Sequence, residues 1–133
     1  MKRGKANKII DWVITALPSQ DDYKTNPNRS VVFETIGFDK DGSGEIVVHG
    51  RSCNHNKIKN LINTFGSMLR NGEEFDDCTV HTIGNNAWTY KYRFFVSYTQ
   101  DEDGKNVIYL MPDFDWDIDV EHGKCTIKPD IQI

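Results

Sequence analysis

The spacing of apolar residues changes once along this 133-residue chain, and that change limits what the chain can fold into. Within residues 55–70, apolar side chains recur every three or four positions, which is the period of a helix with one buried face. Asn54 is a suitable N-cap for this helix, and Gly72 is a suitable stop. After residue 78 the period falls to two, which is typical of strands. The sequence therefore predicts a helix that packs on a sheet.

The clearest strand is the alternating run at residues 88–99. Apolar side chains recur at every second position of this run, so one face of the strand is expected to be buried. That face consists of Trp88, Tyr90, Tyr92, Phe94, Val96 and Tyr98. Further strands are predicted at 30–37, 44–50, 78–83, 106–120 and 124–128. The strand at 106–120 contains Pro112, which is expected to interrupt it.

The amino-terminal part of the chain indicates a second helix. Residues 7–17 place Ile9, Val13 and Leu17 on one face, and Pro18 stands where this helix would stop. The polar stretch after Pro18 is expected to be a loop. Residues before the predicted helix are basic, but the apolar stretch is too short for a signal peptide and contains an aspartate.

The order of these elements predicts the fold class. It reads α-β-β-α-β-β-β-β, and the short connections favour antiparallel neighbours. We therefore expect an α+β fold, with an antiparallel sheet of about five to six strands and two helices packed on one face. Residues 1–133 are expected to form a single domain, with residues 1–6 as a frayed basic start.

The two halves of the chain carry opposite charge, and the net formal charge is −4. Residues 1–72 contain 11 basic and 7 acidic residues, whereas residues 73–133 contain 5 basic and 13 acidic residues. The phosphates of nucleic acids bind lysine and arginine side chains. The acidic half therefore disfavours direct nucleic-acid binding and favours a basic protein as the partner. No apolar run reaches about 18 residues, so no membrane span is predicted.

Three cysteines are present, an odd number without a closely spaced pair. This pattern favours reduced thiols and a cytoplasmic protein. Each cysteine has a histidine within three residues, and thiolate and imidazole are good zinc ligands. The pairs are Cys53 with His55, Cys78 with His81, and Cys125 with His122. Because no C-x-x-C spacing occurs, no cofactor or metal is expected. A structural metal held by Cys53, His55, Cys78 and His81 stays open as an alternative.

Aspartate alternates with apolar residues from residue 113 to residue 120. In a strand, the four aspartates would share one face with a spacing of about 6.6–6.8 Å. Neighbouring phosphates of a DNA strand are separated by a similar distance, on the order of 6–7 Å. A row of such aspartates can therefore imitate phosphates. We call Asp113, Asp115, Asp117 and Asp119 the acidic ladder.

Four like charges in one line repel one another, so the acidic ladder needs compensation. Lysine or arginine on a neighbouring strand, a metal ion or a partner protein can provide it. If the strand passes Pro112 without a bulge, Tyr109 and Met111 share the face of the ladder and are expected to be apolar anchors for the partner. The alternative is the ordinary solvated face of an antiparallel sheet.

Residues 39–46 match the first eight positions of a calcium-binding EF-hand loop. Position 12, however, is Gly50 instead of the required glutamate, and the flanking residues are typical of strands. A hairpin turn is therefore predicted. No serine hydrolase, metalloprotease or nucleotide-binding motif occurs in the chain, so we expect that the protein is not an enzyme.

The carboxyl-terminal half resembles the YezG-type immunity proteins of toxin systems. The resemblance covers about residues 86–117 and rests on three short motifs. They are Asn86-Ala87-Trp88-Thr89, Asp103-Gly104-Lys105 and Asp113-Phe114-Asp115-Trp116-Asp117. The resemblance implies an antitoxin that neutralises a nuclease, with Asp115 and Asp117 as surface residues. The extra strand at 78–83, the long loop at 19–29 and the longer ladder depart from that pattern.

We therefore hypothesise a binding protein that inhibits a basic nuclease or nucleoprotein through the acidic ladder, with Tyr109 and Met111 as anchors. A host immunity protein and a phage counter-defence protein fit these features equally well. A metal-stabilised domain and a small enzyme are the remaining alternatives.

Overall fold

A computed structural model describes residues 10–84 and 91–115 of the chain. One α-helix and six strands account for most of these residues. They are β1 (Val13–Leu17), β2 (Ser30–Ile36), β3 (Glu45–Arg51), α1 (His55–Arg70), β4 (Thr79–Gly84), β5 (Lys91–Gln100) and β6 (Asn106–Pro112). Short 3-10 helices at Ser52–Asn54 and Asp113–Asp115 follow β3 and β6. The fold is α+β, as predicted.

The six strands form one mixed sheet in the order β1-β2-β3-β6-β5-β4. Strands β1, β2 and β3 form one antiparallel meander, and strands β4, β5 and β6 form another. The two meanders meet where β3 pairs in parallel with β6. Helix α1 connects them across one face. The expectation of a wholly antiparallel sheet is not confirmed. Among the described residues, three strands follow the helix, and consecutive ones run antiparallel to each other. The third of these strands, β6, therefore runs in the same direction as the first, β4, and parallel to β3.

The expected amino-terminal helix is also not confirmed, because residues 13–17 form β1 and pair with β2. The stretch Val13-Ile14-Thr15 is β-branched throughout, and such side chains favour strands over helices. Pairing with β2 therefore overrides the helical spacing of the apolar residues. Residues 7–9 of that predicted helix lie outside the described residues. Of the two predicted helices, only α1 is present in the part of the chain that the structure describes.

The other predicted elements have mixed outcomes. The helix at 55–70 and the strands at 30–37, 44–50 and 78–83 are confirmed within a residue of their bounds, and β5 confirms the described part of 88–99. The long strand at 106–120 ends at Pro112 and continues as a 3-10 helix. Residues 116–120 and the strand predicted at 124–128 lie outside the described residues. No described helix is long and apolar enough to cross a membrane.

The main core lies between α1 and the sheet. Phe65 is fully buried at its centre, and its ring centroid lies 4.8 Å from that of Phe75 and 5.5 Å from that of Phe94. Tyr92 and Val96 lie on the same buried face of β5, as the alternation predicted, whereas Tyr98 of the predicted face is 38% exposed. Trp88 and Tyr90 of that predicted face lie outside the described residues.

Arg70, in the last turn of α1, fastens the start of β1 to the helix. Its guanidinium lies against the rings of both Trp12 and Phe38, at 5.0 and 4.9 Å from their centroids. One nitrogen lies 3.0 Å from a carboxylate oxygen of Asp11, and another donates to the Phe38 carbonyl. A side chain at Gly66 would come within 2.9 Å of the Trp12 ring, so this close approach requires glycine.

Candidate functional site

Loops from several parts of the chain meet at one end of the sheet. The strand register places the residues before β1, the β2–β3 turn, the α1–β4 connection and the β5–β6 turn together there. These segments are residues 10–11, 37–44, 71–78 and 101–105. Helix α1 also ends on this side, and the carboxyl end of a helix carries partial negative charge. We call this surface the acidic end.

The acidic end carries ten carboxylates, of which all but Asp39 belong to exposed residues. The ten are Asp11, Asp39, Asp41, Glu73, Glu74, Asp76, Asp77, Asp101, Glu102 and Asp103. Three cations lie among them, namely Lys40, Arg70 and Lys105. Arg70 and Lys40 both face Asp11, at 3.0 and 3.7 Å. A strong excess of negative charge therefore remains at this end.

Hydrogen bonds hold the loops of the acidic end in place. Asp39 accepts from the Gly42 amide at 2.7 Å, and Asp101 accepts from the amides of Asp103 and Lys105 at 2.9 Å. The side chain of Asn106 donates to the Gly42 carbonyl at 2.7 Å, which joins the two turns. The carboxylates are therefore displayed on loops with fixed geometry.

Two titratable groups at this end have shifted pKa values. Hydrogen bonds from Ser43 lower the pKa of the Asp41 carboxyl, so Asp41 stays ionised. Burial, together with Asp77 and Asp76, raises the pKa of the Tyr98 hydroxyl, which donates to the Phe75 carbonyl at 2.8 Å. Tyr98 is thus a neutral, half-exposed aromatic residue beside the carboxylates.

The EF-hand-like segment is a hairpin turn, as predicted, and Glu45 organises it. The Glu45 carboxylate accepts from the Thr35 hydroxyl at 2.6 Å and from the amides of Gly37 and Phe38 at 3.2 and 3.1 Å. A longer bond at 3.4 Å comes from the Asp39 amide. This carboxylate therefore satisfies the backbone of the loop.

Replacement of Glu45 by alanine should destabilise the protein by about 2–4 kcal/mol, because several donors lose a charged acceptor. Urea denaturation measures the change. Glu34→Ala on the neighbouring strand is the control, since burial and the Glu45 and Asp101 charges raise the pKa of Glu34 and make its charged form less favourable. Equal losses in the two variants would contradict a special role for Glu45.

A cleft of about 480 Å³ opens at the acidic end, between the end of α1, the β2–β3 turn and the central strands. Among the described residues that line it are Lys40, Asp41, Ser43 and Arg70, with Tyr98 at its side. None of them is a histidine or cysteine, and the Arg70 guanidinium is engaged by Asp11 and the Phe38 carbonyl. The cleft therefore offers charged and hydrogen-bonding groups to a ligand.

The acidic ladder begins in a 3-10 helix instead of a strand. Asp113 is half-buried, and its carboxylate lies 3.3 Å from the Nε of Arg93 on β5. A cation on a neighbouring strand is one of the three kinds of compensation that the sequence led us to expect. Asp115 belongs to the same 3-10 helix, whereas Asp117 and Asp119 lie outside the described residues. The alternation of faces expected from residue 113 onward does not hold at residues 113–115.

Tyr109 and Met111 are buried, so the structure does not present them as surface anchors. Their exposed fractions are 2% and 0%. Both side chains lie on the face of β6 that is opposite α1. There they pack with Phe95 and against the half-buried Val47 and Val80. The sequence pattern did not reveal that this face of the sheet has a second core.

The cysteine and histidine pairs do not converge in the described part of the chain. No group of three or more histidine, cysteine, aspartate or glutamate residues there is placed to hold a metal ion. Cys53 and Cys78 are exposed thiols. Burial and Asp77 raise the pKa of the Cys78 thiol, so it is not activated as a nucleophile. His81 lies 2.6 Å from the Thr79 hydroxyl, and the ring centroid of His55 lies 4.6 Å from that of Tyr23, with the two ring planes tilted by 51°. The pair Cys125 and His122 lies outside the described residues.

Sequence reasoning missed the acidic end as a surface. The sequence indicated an acidic second half, but Asp11, Asp39 and Asp41 come from the basic first half. The available signal was the pair of acidic turns at 39–41 and 101–103. Each of them joins the last two strands of a three-stranded meander, so the parallel junction of β3 with β6 places the two turns side by side. The two turns can be placed side by side only when the parallel pairing of β3 with β6 is known.

Comparisons of the chain with protein-family models, with curated proteins and with solved structures find no match.

Proposed function

We propose that the protein is a non-enzymatic inhibitor that binds a basic, nucleic-acid-handling protein through the acidic end. The observation that carries this proposal is the concentration of ten carboxylates on hydrogen-bonded loops at one end of the sheet. A site that binds nucleic acid presents cations to the phosphates. A rigid surface of carboxylates has the complementary charge and competes for the same cations.

The arrangement favours rapid association with a cationic groove. A field of one sign accelerates encounter between oppositely charged surfaces, and this effect falls with added salt. The half-exposed Tyr98 and the apolar wall of the cleft, including Phe38 and Leu69, supply nonpolar contact area beside the charges. Aromatic side chains are frequent energetic centres of protein interfaces.

The acidic ladder is a second candidate surface for the same function. Asp113 and Asp115 follow the end of β6, at the end of the sheet opposite the acidic end. Because Asp113 is paired with Arg93, its charge is partly compensated within the chain. The resemblance to YezG-type immunity proteins supports an antitoxin role, in which the partner is a nuclease toxin. A phage counter-defence protein would use the same surface against a defence nuclease.

The test is capture of proteins from a lysate of the native source, at about 0.1 M and at about 1 M salt, where the Debye length is about 10 and 3 Å. We expect a basic nucleic-acid-binding protein that is retained at low salt and released at high salt. Adding the inhibitor in equimolar amount should then block nucleic-acid binding or cleavage by that purified protein.

Two variants show whether the acidic end or the acidic ladder binds the partner. The first changes Glu73→Gln, Glu74→Gln, Glu102→Gln and Asp103→Asn, and it spares Asp39, Asp77 and Asp101, which hold the loops. It should slow association at least tenfold, as a loss of four steering charges requires. The control is Asp115→Asn with Asp117→Asn, which removes two charges from the acidic ladder. If the control loses the partner and the first variant does not, the ladder is the surface. A captured protein that keeps its nucleic-acid activity would contradict inhibition.

A further inference from the structure

The outer edge of β1 is the most apolar exposed feature of the described chain. Five large apolar residues are exposed among the described residues, and three of these lie on β1 and its neighbour β2, on the face away from α1. The three are Val13 at 61%, Leu17 at 66% and Ile36 at 56%. Val13 pairs with Ile36, and Leu17 pairs with the half-buried Val32. The exposed apolar side chains therefore lie towards both ends of β1 on this face, with the pair Thr15 and Glu34 between them.

This edge lacks the devices that usually prevent strands from pairing with other chains. Edge strands are normally protected by charged residues, proline or a bulge. The sequence of β1 is Val-Ile-Thr-Ala-Leu, which contains none of these, and its outer side has no strand partner among residues 10–84 and 91–115. The opposite edge, β4, instead presents Thr79, His81 and Thr82 and no exposed large apolar residue.

The order of residues in β1 suits a second copy of the same strand. Antiparallel pairing about a twofold axis at Thr15 sets Val13 opposite the partner's Leu17 on the far face. It sets Ile14 opposite the partner's Ala16 on the helix face. Each pair is apolar, and on the helix face a large side chain meets a small one. Such self-complementarity is what an isologous interface requires. Pro18 lacks an amide hydrogen and limits the pairing at the end of the strand.

Charge does not oppose this pairing. Within β1 and the paired part of β2, the charged side chain is that of Glu34, which lies opposite Thr15. Across the proposed axis, the two Glu34 side chains would be separated by three strand spacings, or about 14 Å. This exceeds the Debye length of about 8 Å at physiological ionic strength. Asp11, just before β1, is already paired with Arg70.

We propose that the protein forms a symmetric dimer through antiparallel β1–β1 pairing centred on Thr15, which continues the six-stranded sheet across two copies. The proposal does not depend on the proposed function. The acidic end of each copy faces away from the axis at its own end of the sheet, because antiparallel pairing reverses the second copy. Sedimentation velocity from about 1 µM to about 1 mM should show the mass rising from 15.3 kDa towards about twice that value.

Two variants test the register together. Leu17→Lys and Val13→Glu each change an exposed side chain, so both are compatible with the fold. Each variant alone places two charges against apolar residues and should weaken the dimer about tenfold or more. An equimolar mixture should restore it as a heterodimer, in which the introduced lysine meets the introduced glutamate at one pair while the other pair remains Val13 with Leu17. The control is Thr82→Lys on β4, which should leave dimerisation unchanged.

Three results would overturn the proposal. A wild-type chain that stays monomeric at every concentration leaves the β1 edge to a strand of a different protein. A dimer that Thr82→Lys disrupts and Leu17→Lys does not would place the interface on β4. A mixture of the two β1 variants that is no more dimeric than either variant alone would refute pairing centred on Thr15.

Discussion

Replacement of Gly44 by alanine should lower the free energy of unfolding by about 3–5 kcal/mol, because the new side chain causes both backbone strain and a steric clash. Gly44 has a φ angle of +113°, a conformation that residues with a side chain rarely adopt. An added methyl group would lie 2.6 Å from the Asn106 carbonyl oxygen and 2.7 Å from its carbon. Both atoms belong to the backbone, so the contact can be relieved only by moving β6 away from β3.

Urea denaturation of the variant measures this loss, and Gly42→Ala is the matched control. Gly42 also has a positive φ angle, +89°, but no atom lies within 4 Å of the position that its methyl group would occupy. The control should therefore lose only about 1–2 kcal/mol from backbone strain. If both alanine variants are destabilised equally, close approach at the β3–β6 junction is not the cause of the larger loss.

Truncation of Phe65 to alanine should cost about 3–5 kcal/mol, because the cavity lies at the centre of the main core. The Phe65 side chain is fully buried and contacts the rings of Phe75 and Phe94, which come from the α1–β4 connection and from β5. Thermal and urea denaturation measure the loss, and circular dichroism shows whether the variant keeps its sheet.

Phe114→Ala is the control for this truncation. Phe114 is half-buried at the edge of the core, where the ammonium of Lys57 lies 5.4 Å from its ring. Its removal exposes little new surface and should cost about 1 kcal/mol. A Phe65 variant no less stable than the Phe114 variant would mean that the core is centred elsewhere. Should Phe65→Ala fail to fold, Phe65→Leu should show a smaller loss in the same direction.

Local sequence patterns correctly predicted those helices and strands in which the apolar spacing matches the face that is buried. The apolar period of 55–70 and the alternation of 91–99 each reflect burial against one partner surface, so helix α1 and strand β5 followed from the sequence. Residues 13–17 carry helical spacing and β-branched residues together, and only the availability of β2 decides between the two structures. Such a decision depends on distant residues, which a local pattern does not contain.

The candidate sites were harder to predict, for two physical reasons. The prediction of the acidic ladder required one strand to continue past Pro112, whereas the chain forms a 3-10 helix at Asp113. Alternation of side chains between two faces therefore does not extend beyond Pro112. The acidic end combines turns from both halves of the chain, so its charge is a property of the topology. The burial of Tyr109 likewise depends on the second core, which packs on the face opposite α1.

The parallel junction between β3 and β6 also has a consequence for how the chain is made. A ribosome releases β1, β2, β3 and α1 well before β6, so the inner edge of β3 has no neighbour during most of synthesis. The strands of each meander are consecutive in sequence, whereas the junction must close a loop that contains the helix and two strands, and this is slow. We therefore expect the two meanders to form early and to join last.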